Sequence, residues 1–139
     1  YCGVVVDDYS GEIQPIKCKL KSDFASEYDR VVRQQGVTPK YLRTDGGGEN
    51  MGEEFEKRVA ADGTFHEKSA ADWQNQNGRA ESGINRVGTR ANAMSRHCSA
   101  PSGVFDRAWD YACLCESATK PYRPGKAMTS YKAKYGRQF

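Results

Sequence analysis

The 139 residues are 37% hydrophobic and 28% charged, with a formal charge of +3 and a mean hydropathy of −0.82. That is the size of a single domain with a modest core. The balance permits a polyanionic partner without demanding one. No stretch approaches the ~20 apolar residues of a membrane helix, and no membrane partner is expected. The odd cysteine count (Cys2, Cys18, Cys98, Cys113, Cys115) argues against a closed disulfide framework. With no C-x-x-C pair, zinc is disfavoured as well.

In chain order, residues 1–7 read as a buried strand that ends at Asp7-Asp8. Tyr9-Ser10-Gly11 supplies turn residues, and residues 12–19 form the second arm of a hairpin. Pro15 lacks a ladder donor, so this arm is expected at a sheet edge. Ser22-Asp23 caps a helix to about residue 35, with Phe24, Tyr28, Val31 and Val32 on one face and Gly36 as its stop. Lys40–Thr44 is a short strand aimed at Asp45, and Gly46-Gly47-Gly48 follows as a loop. A helix over 50–61 puts Phe55 and Val59 on one face. Gly63–His66 reads as another strand, residues 68–78 as a polar loop, and 79–97 as a long helix. Pro101 separates it from a helix over 104–118 carrying Phe105, Ala108, Trp109, Ala112 and Leu114. Pro121 and Pro124 end that helix, and 127–136 adds a last short one. Neither a repeat nor a linker interrupts residues 1–139, so one domain is expected. The element order is that of an α/β fold with a mixed sheet flanked by helices.

Three segments carry chemistry: Val4-Val5-Val6-Asp7-Asp8-Tyr9-Ser10-Gly11, then Leu42-Arg43-Thr44-Asp45-Gly46-Gly47-Gly48-Glu49-Asn50, then Trp73-Gln74-Asn75-Gln76-Asn77-Gly78-Arg79-Ala80-Glu81 with Asn85-Arg86 after it. An acid at a strand end and another opening a helix, with thirty-five residues between them, can hold divalent metal between sheet and helix. The spacing alone arises readily by chance among eighteen acidic residues, so the flanking residues carry the argument. Together the three segments resemble, in collinear order, the catalytic core of copia-type retrotransposon integrases. The tail Met128–Gly136 also resembles the stretch downstream of that core.

That resemblance implies a ribonuclease-H-like fold and DNA integration by two-metal phosphoryl transfer, covering 3′-end processing and strand transfer in the intact parent protein. It implies Asp45 and Glu81 as catalytic metal ligands for Mg²⁺ or Mn²⁺, with two ions in the intact site. Mg²⁺ prefers such carboxylate oxygens. DNA, as element ends and target, is the implied partner, along with further copies of the chain. Nuclear action at the integration step follows from the resemblance alone. Arg79, Arg86, Asn85 and Trp73 are candidate DNA contacts: the arginines on phosphates, Trp73 on a base.

Each candidate has a plainer role open to it. Asp45 can head an Asx turn, Glu81 can complement a helix dipole, Trp73 can pack under its loop, and the arginines can line a solvated face. Glu49 reads as a solvated carboxylate and His66 as a strand-end polar residue. The family's first ligand, an aspartate, stands on a strand before Val4-Val5-Val6, so residues 1–139 are expected to be a partial core lacking the first, central strand. Asp7 and Asp8 match non-ligand positions. The chain by itself is therefore expected not to join DNA, and the sheet to show a gap or an unusual pairing. Gly46 stands where the family has Asn, and Gly83 and Gly88 weaken their helix by about 1 kcal/mol each. The alternatives are a non-catalytic nucleic-acid-binding remnant of a retrotransposon polyprotein and an unrelated small α/β protein with structural cysteines.

Overall fold

A computed structural model describes residues 2–44, 52–69, 77–98, 104–121 and 125–137. In chain order the elements are β1 (Cys2–Val6), β2 (Ile13–Lys17), a 3-10 turn (Lys21–Asp23), α1 (Phe24–Gln35), β3 (Tyr41–Thr44), α2 (Glu53–Ala61), β4 (Phe65–Lys68), α3 (Gly78–His97), α4 (Phe105–Thr119) and α5 (Ser130–Tyr135). Among the described residues the strands form two separate two-stranded sheets, β1-β2 and β3-β4. The α/β class is as expected, and so is a divided sheet. Two compact units result. One is residues 16–78 with Tyr1, and the other joins residues 2–15 to 79–139.

The first unit is a β-α-β motif with α1 against it. β3 and β4 run parallel with Tyr41 opposite Phe65 and Thr44 opposite Lys68. A parallel pair needs a long crossover, and α2 provides it. β4 starts two residues later than the pattern suggested. Gly63 adopts φ +69° in the turn, and the Thr64 hydroxyl donates to the Pro39 carbonyl (2.7 Å), so the ladder opens only at Phe65. α1 stops where Gly36 takes φ 65° and returns its N–H to the helix. Its start differs from expectation: the Asp23 carboxylate accepts from Leu20 N–H (2.9 Å), closing the preceding turn instead of capping the helix.

Periodic apolar positions on α1 and α2 meet as Tyr28, Phe55 and Val59, each at most 2% exposed. Phe55 takes the edges of Phe24 (5.2 Å between centroids), Tyr28 (5.3 Å) and His66 (5.6 Å), the geometry aromatic quadrupoles favour. Burial pushes the Tyr28 phenol up to about 12. His66 shares a hydrogen bond with Thr44 Oγ1 (3.0 Å), and desolvation, then the Lys68 charge, lowers its pKa below 6.5.

In the second unit the β1-β2 hairpin, α3 and α4 enclose a core of Ile13, Val87, Ala91, Trp109, Ala112 and Cys113, with Cys2, Val4 and Val6 packed on it. Trp109 Nε1 donates to the Gly3 carbonyl (3.2 Å), and Ile13 N–H donates to Ser117 Oγ (2.9 Å), so α4 is stitched to both strands. Gly83 lies on the hairpin: a Cβ there meets Val6 Cγ2 at 3.2 Å and Val4 and Ile13 at 3.6 Å. A Cβ at Gly88 meets only Trp109, at 3.6 Å. The two glycines thus differ in kind, one required by close packing and one not. None of the five cysteines is in a disulfide. Cys113 is 1% exposed, and burial pushes its thiol up to about 12.

α5 is fastened by a buried acid. Glu12 is 2% exposed and accepts from Lys134 Nζ (2.8 Å), Tyr135 Oη (2.9 Å) and Gln14. Thr129 caps α5 by accepting from Lys132 N–H (3.2 Å), which starts the helix three residues later than the sequence pattern.

Three outcomes follow from this packing. Gly88→Ala stabilises the chain by up to about 1 kcal/mol through helix propensity, whereas Gly83→Val destabilises it by about 1–3 kcal/mol through overpacking; urea unfolding midpoints separate the two. Lys134→Met strands the Glu12 carboxylate and lowers stability by about 3 kcal/mol in the same assay, the low end for a broken buried pair because Tyr135 and Gln14 remain. His66 has a folded-state pKa below its unfolded value, so its contribution is present above pH 6.5 and lost as pH falls through the folded value. The melting temperature of His66→Gln therefore drops less than that of the wild type on acidification from neutral pH to below 6.5.

Candidate functional site

The candidate site is built on the amino-terminal turns of α3. The hairpin loop before β2 sets its neighbourhood. Asp7 is fully engaged locally: its carboxylate accepts from the N–H groups of Tyr9 and Ser10 (both 3.3 Å) and from the Ser10 hydroxyl. The backbone closes the same loop through Asp7 N–H to the Glu12 carbonyl (2.9 Å) and Gly11 N–H to the Asp7 carbonyl (2.7 Å). Asp8 reaches α3 instead. Arg79 Nη1 lies 3.2 Å from its carboxylate and donates to its carbonyl (2.6 Å). Asp7 is thus held within its own turn, and Asp8 is paired at the surface with Arg79.

Glu81 stands in the first turn of α3 and is exposed. No cation pairs with it among the described residues. Asn85, one turn on, is exposed as well, its carbonyl accepting from Thr89 Oγ1 (2.8 Å). Arg86 points elsewhere. Its Nε donates to Glu116 (3.1 Å) and its Nη1 to Ser82 Oγ (2.5 Å). Arg90 joins it on the other Glu116 oxygen (2.9 Å). Glu116 is 4% exposed, and one guanidinium group meets each of its two carboxylate oxygens. Arg86 thus has a structural partner, while Arg79, Glu81 and Asn85 present the polar surface.

Asp45, Glu49 and Trp73 lie outside the described residues. The strand that leads to Asp45 is described: β3 ends at Thr44, 8% exposed, whose carbonyl accepts from Ser69 N–H (2.9 Å). His66 is packed and hydrogen-bonded rather than open. No cluster of three or more His, Cys, Asp or Glu side chains is poised for a metal among the described residues. The donor type of Asp45 and Glu81 nonetheless fits a hard cation, since both offer carboxylate oxygens.

Two residues with decisive roles were missed in the sequence, Glu12 and Glu116. Glu116 had a signal. It follows Trp109 by seven and Ala112 by four, which places it on the buried face of α4. Arg86 and Arg90, four apart on α3, are the matching cations. Glu12 had none, because its partners are 122 and 123 residues away.

No family model matches the chain. Over 117 residues it is 28% identical to the retrovirus-related Pol polyprotein from transposon TNT 1-94 of Nicotiana tabacum; the match takes in 81% of this chain and 9% of that polyprotein. Among solved structures it superposes on a chain of the simian T-cell lymphotropic virus intasome in complex with the PP2A regulatory subunit B56 gamma. The TM-score is 0.80 at 18% identity, over 96% of this chain and 48% of that one. It also superposes on the HTLV-2 integrase catalytic core domain in complex with magnesium. The trimeric form gives a TM-score of 0.75 at 18% identity and the dimeric form 0.72 at 19%, each over 95% of this chain and 82% of that one. The chain is thus similar over most of its length to a small part of a retrotransposon Pol polyprotein and has the fold of retroviral integrase catalytic cores.

Proposed function

We propose that this chain is the DNA-joining part of its parent polyprotein, acting in DNA integration by divalent-metal-dependent phosphoryl transfer. The observation that carries the reading is Glu81. An exposed carboxylate without a cationic partner among the described residues, in the first turn of a helix, stands in the last of three collinear motifs on an integrase-type fold. Asp45, directly after β3, is the second ligand. Mg²⁺ or Mn²⁺, if held by these carboxylates, would supply charge neutralisation for the attacking hydroxyl and the leaving oxygen.

The chain's own residues do the rest. Glu81 and Asp45 would supply the ligating carboxylates. Arg79, exposed two positions before Glu81 and tied at the surface to Asp8, exchanges that carboxylate for a DNA phosphate. Exposed ion pairs of this kind are worth little in water, so the exchange costs little. Asn85 and Trp73 contact the nucleic acid next to the reacting strand. Arg86 acts at one remove, by fixing α3 on α4 through Glu116. The reading includes DNA as element ends and target, and assembly of several copies on it.

The test is a strand-transfer assay with Mn²⁺ on the parent polypeptide carrying these residues, with calorimetric metal titration alongside. Asp45→Asn and Glu81→Gln each reduce joining by at least about 100-fold, since even residues that only support metal ligands are worth 10–100-fold. Both weaken metal binding while the melting temperature is kept. Joining that survives both substitutions sinks the reading. Metal-independent DNA binding indifferent to both, with no joining by the wild type, establishes the non-catalytic remnant instead.

A further inference from the structure

Charge is distributed very unevenly along this chain. After Glu116 come six basic residues, Lys120, Arg123, Lys126, Lys132, Lys134 and Arg137, and no acidic one. Residues 1–116 hold the remaining fifteen basic residues against all eighteen acidic ones, a formal −3. The net positive charge of the whole chain therefore belongs to its last 23 residues.

The fold gives that segment a fixed frame. Lys120 ends α4 with its N–H on the Glu116 carbonyl (3.0 Å). Pro121 and Thr129 form an antiparallel bridge, and Ser130 N–H donates to the Lys120 carbonyl (3.0 Å), closing the neck of the loop that carries Lys126. Gly125 takes φ 75° inside it. Beyond the neck α5 is capped by Thr129 and held to the core by Lys134 and Tyr135 on buried Glu12. Lys134 is thus neutralised. Lys120, Lys126 and Arg137 are exposed, Lys132 is half-buried, and none of the four has an ion-pair partner among the described residues.

We propose that Lys120, Lys126, Lys132 and Arg137 form a second nucleic-acid surface that binds the phosphate backbone without metal and without sequence preference. A cluster of cations unopposed by local acids attracts a polyanion by releasing its condensed counterions. A frame bridged at its neck and latched at its far end loses little conformational entropy on binding. The location of the surface rests on charge and fastening alone. The choice of nucleic acid over another polyanion rests on the integrase-type reading above. The surface differs from the α3 site, which needs Glu81 and a divalent ion.

The experiment is fluorescence anisotropy of the whole chain with a short labelled DNA duplex of arbitrary sequence, in EDTA, over a range of salt. The variant is Lys120→Ala/Lys126→Ala/Lys132→Ala, with circular dichroism confirming its fold. Its affinity falls about tenfold or more, and its salt slope falls by about 2–3, close to 0.9 for each phosphate that is no longer neutralised. The matching Lys→Arg triple retains both. A control of equal charge loss, Arg33→Ala/Lys40→Ala/Lys57→Ala, keeps the wild-type slope. Wild-type binding by the first triple overturns the proposal, as does an equal loss in the control. Loss of binding to phosphatidylserine vesicles with DNA binding intact also overturns it, in favour of a lipid surface. Because the titration is run in EDTA, failure of the metal-dependent reading leaves this result separately readable.

Discussion

A carboxylate taken out of water costs several kcal/mol unless cations meet it in good geometry. Glu116 is 4% exposed and is met by Arg86 and Arg90, one turn apart on the neighbouring helix. Much of the second unit depends on that arrangement. It sets the rotation of α3 on α4, because only one helical face carries both guanidinium groups. With that face turned inward, Val87 and Ala91 fall into the core and Gly83 comes against the hairpin. Glu81 and Asn85 are thereby left facing solvent. The two ion pairs at Glu116 thus determine which side chains the helix offers to a partner.

The acidic residues of this unit show how the same functional group acquires different tasks. Asp7 is saturated by N–H and hydroxyl donors of its own turn. Asp8 forms an exposed tether to Arg79. Glu12 is buried and organises a lysine and a tyrosine from α5. Glu81 is exposed without a described cation. Of the four, Glu81 is the one whose carboxylate has no partner among the described residues.

The elements themselves were legible because their signals are local. Phe24, Tyr28, Val31 and Val32 mark a helix by spacing, and Gly36 marks its end by the backbone it alone adopts easily. The motifs around Asp45 and Glu81 were legible as composition in order. What was hidden was non-local. Arg86 reads as a phosphate contact until Glu116, thirty positions away, is found beside it. Gly83 reads as a weak point of its helix until Val4, Val6 and Ile13 are found pressing on it. The two-unit organisation was invisible for the same reason: nothing in residues 2–15 announces that their contacts lie beyond residue 78.

That last feature bears on how the molecule is made. Residues 16–78 form one unit from a continuous stretch, so their contacts are available as soon as they leave the ribosome. The β1-β2 hairpin emerges earlier but belongs to a core completed by Trp109, Ala112 and Cys113. At elongation rates of about 5–20 residues per second, its apolar face waits several seconds for α3 and α4 to appear. Val4, Val6 and Ile13 are thus an unshielded sticky strand pair during synthesis. A slowed or stalled ribosome between residues 79 and 113 prolongs that exposure.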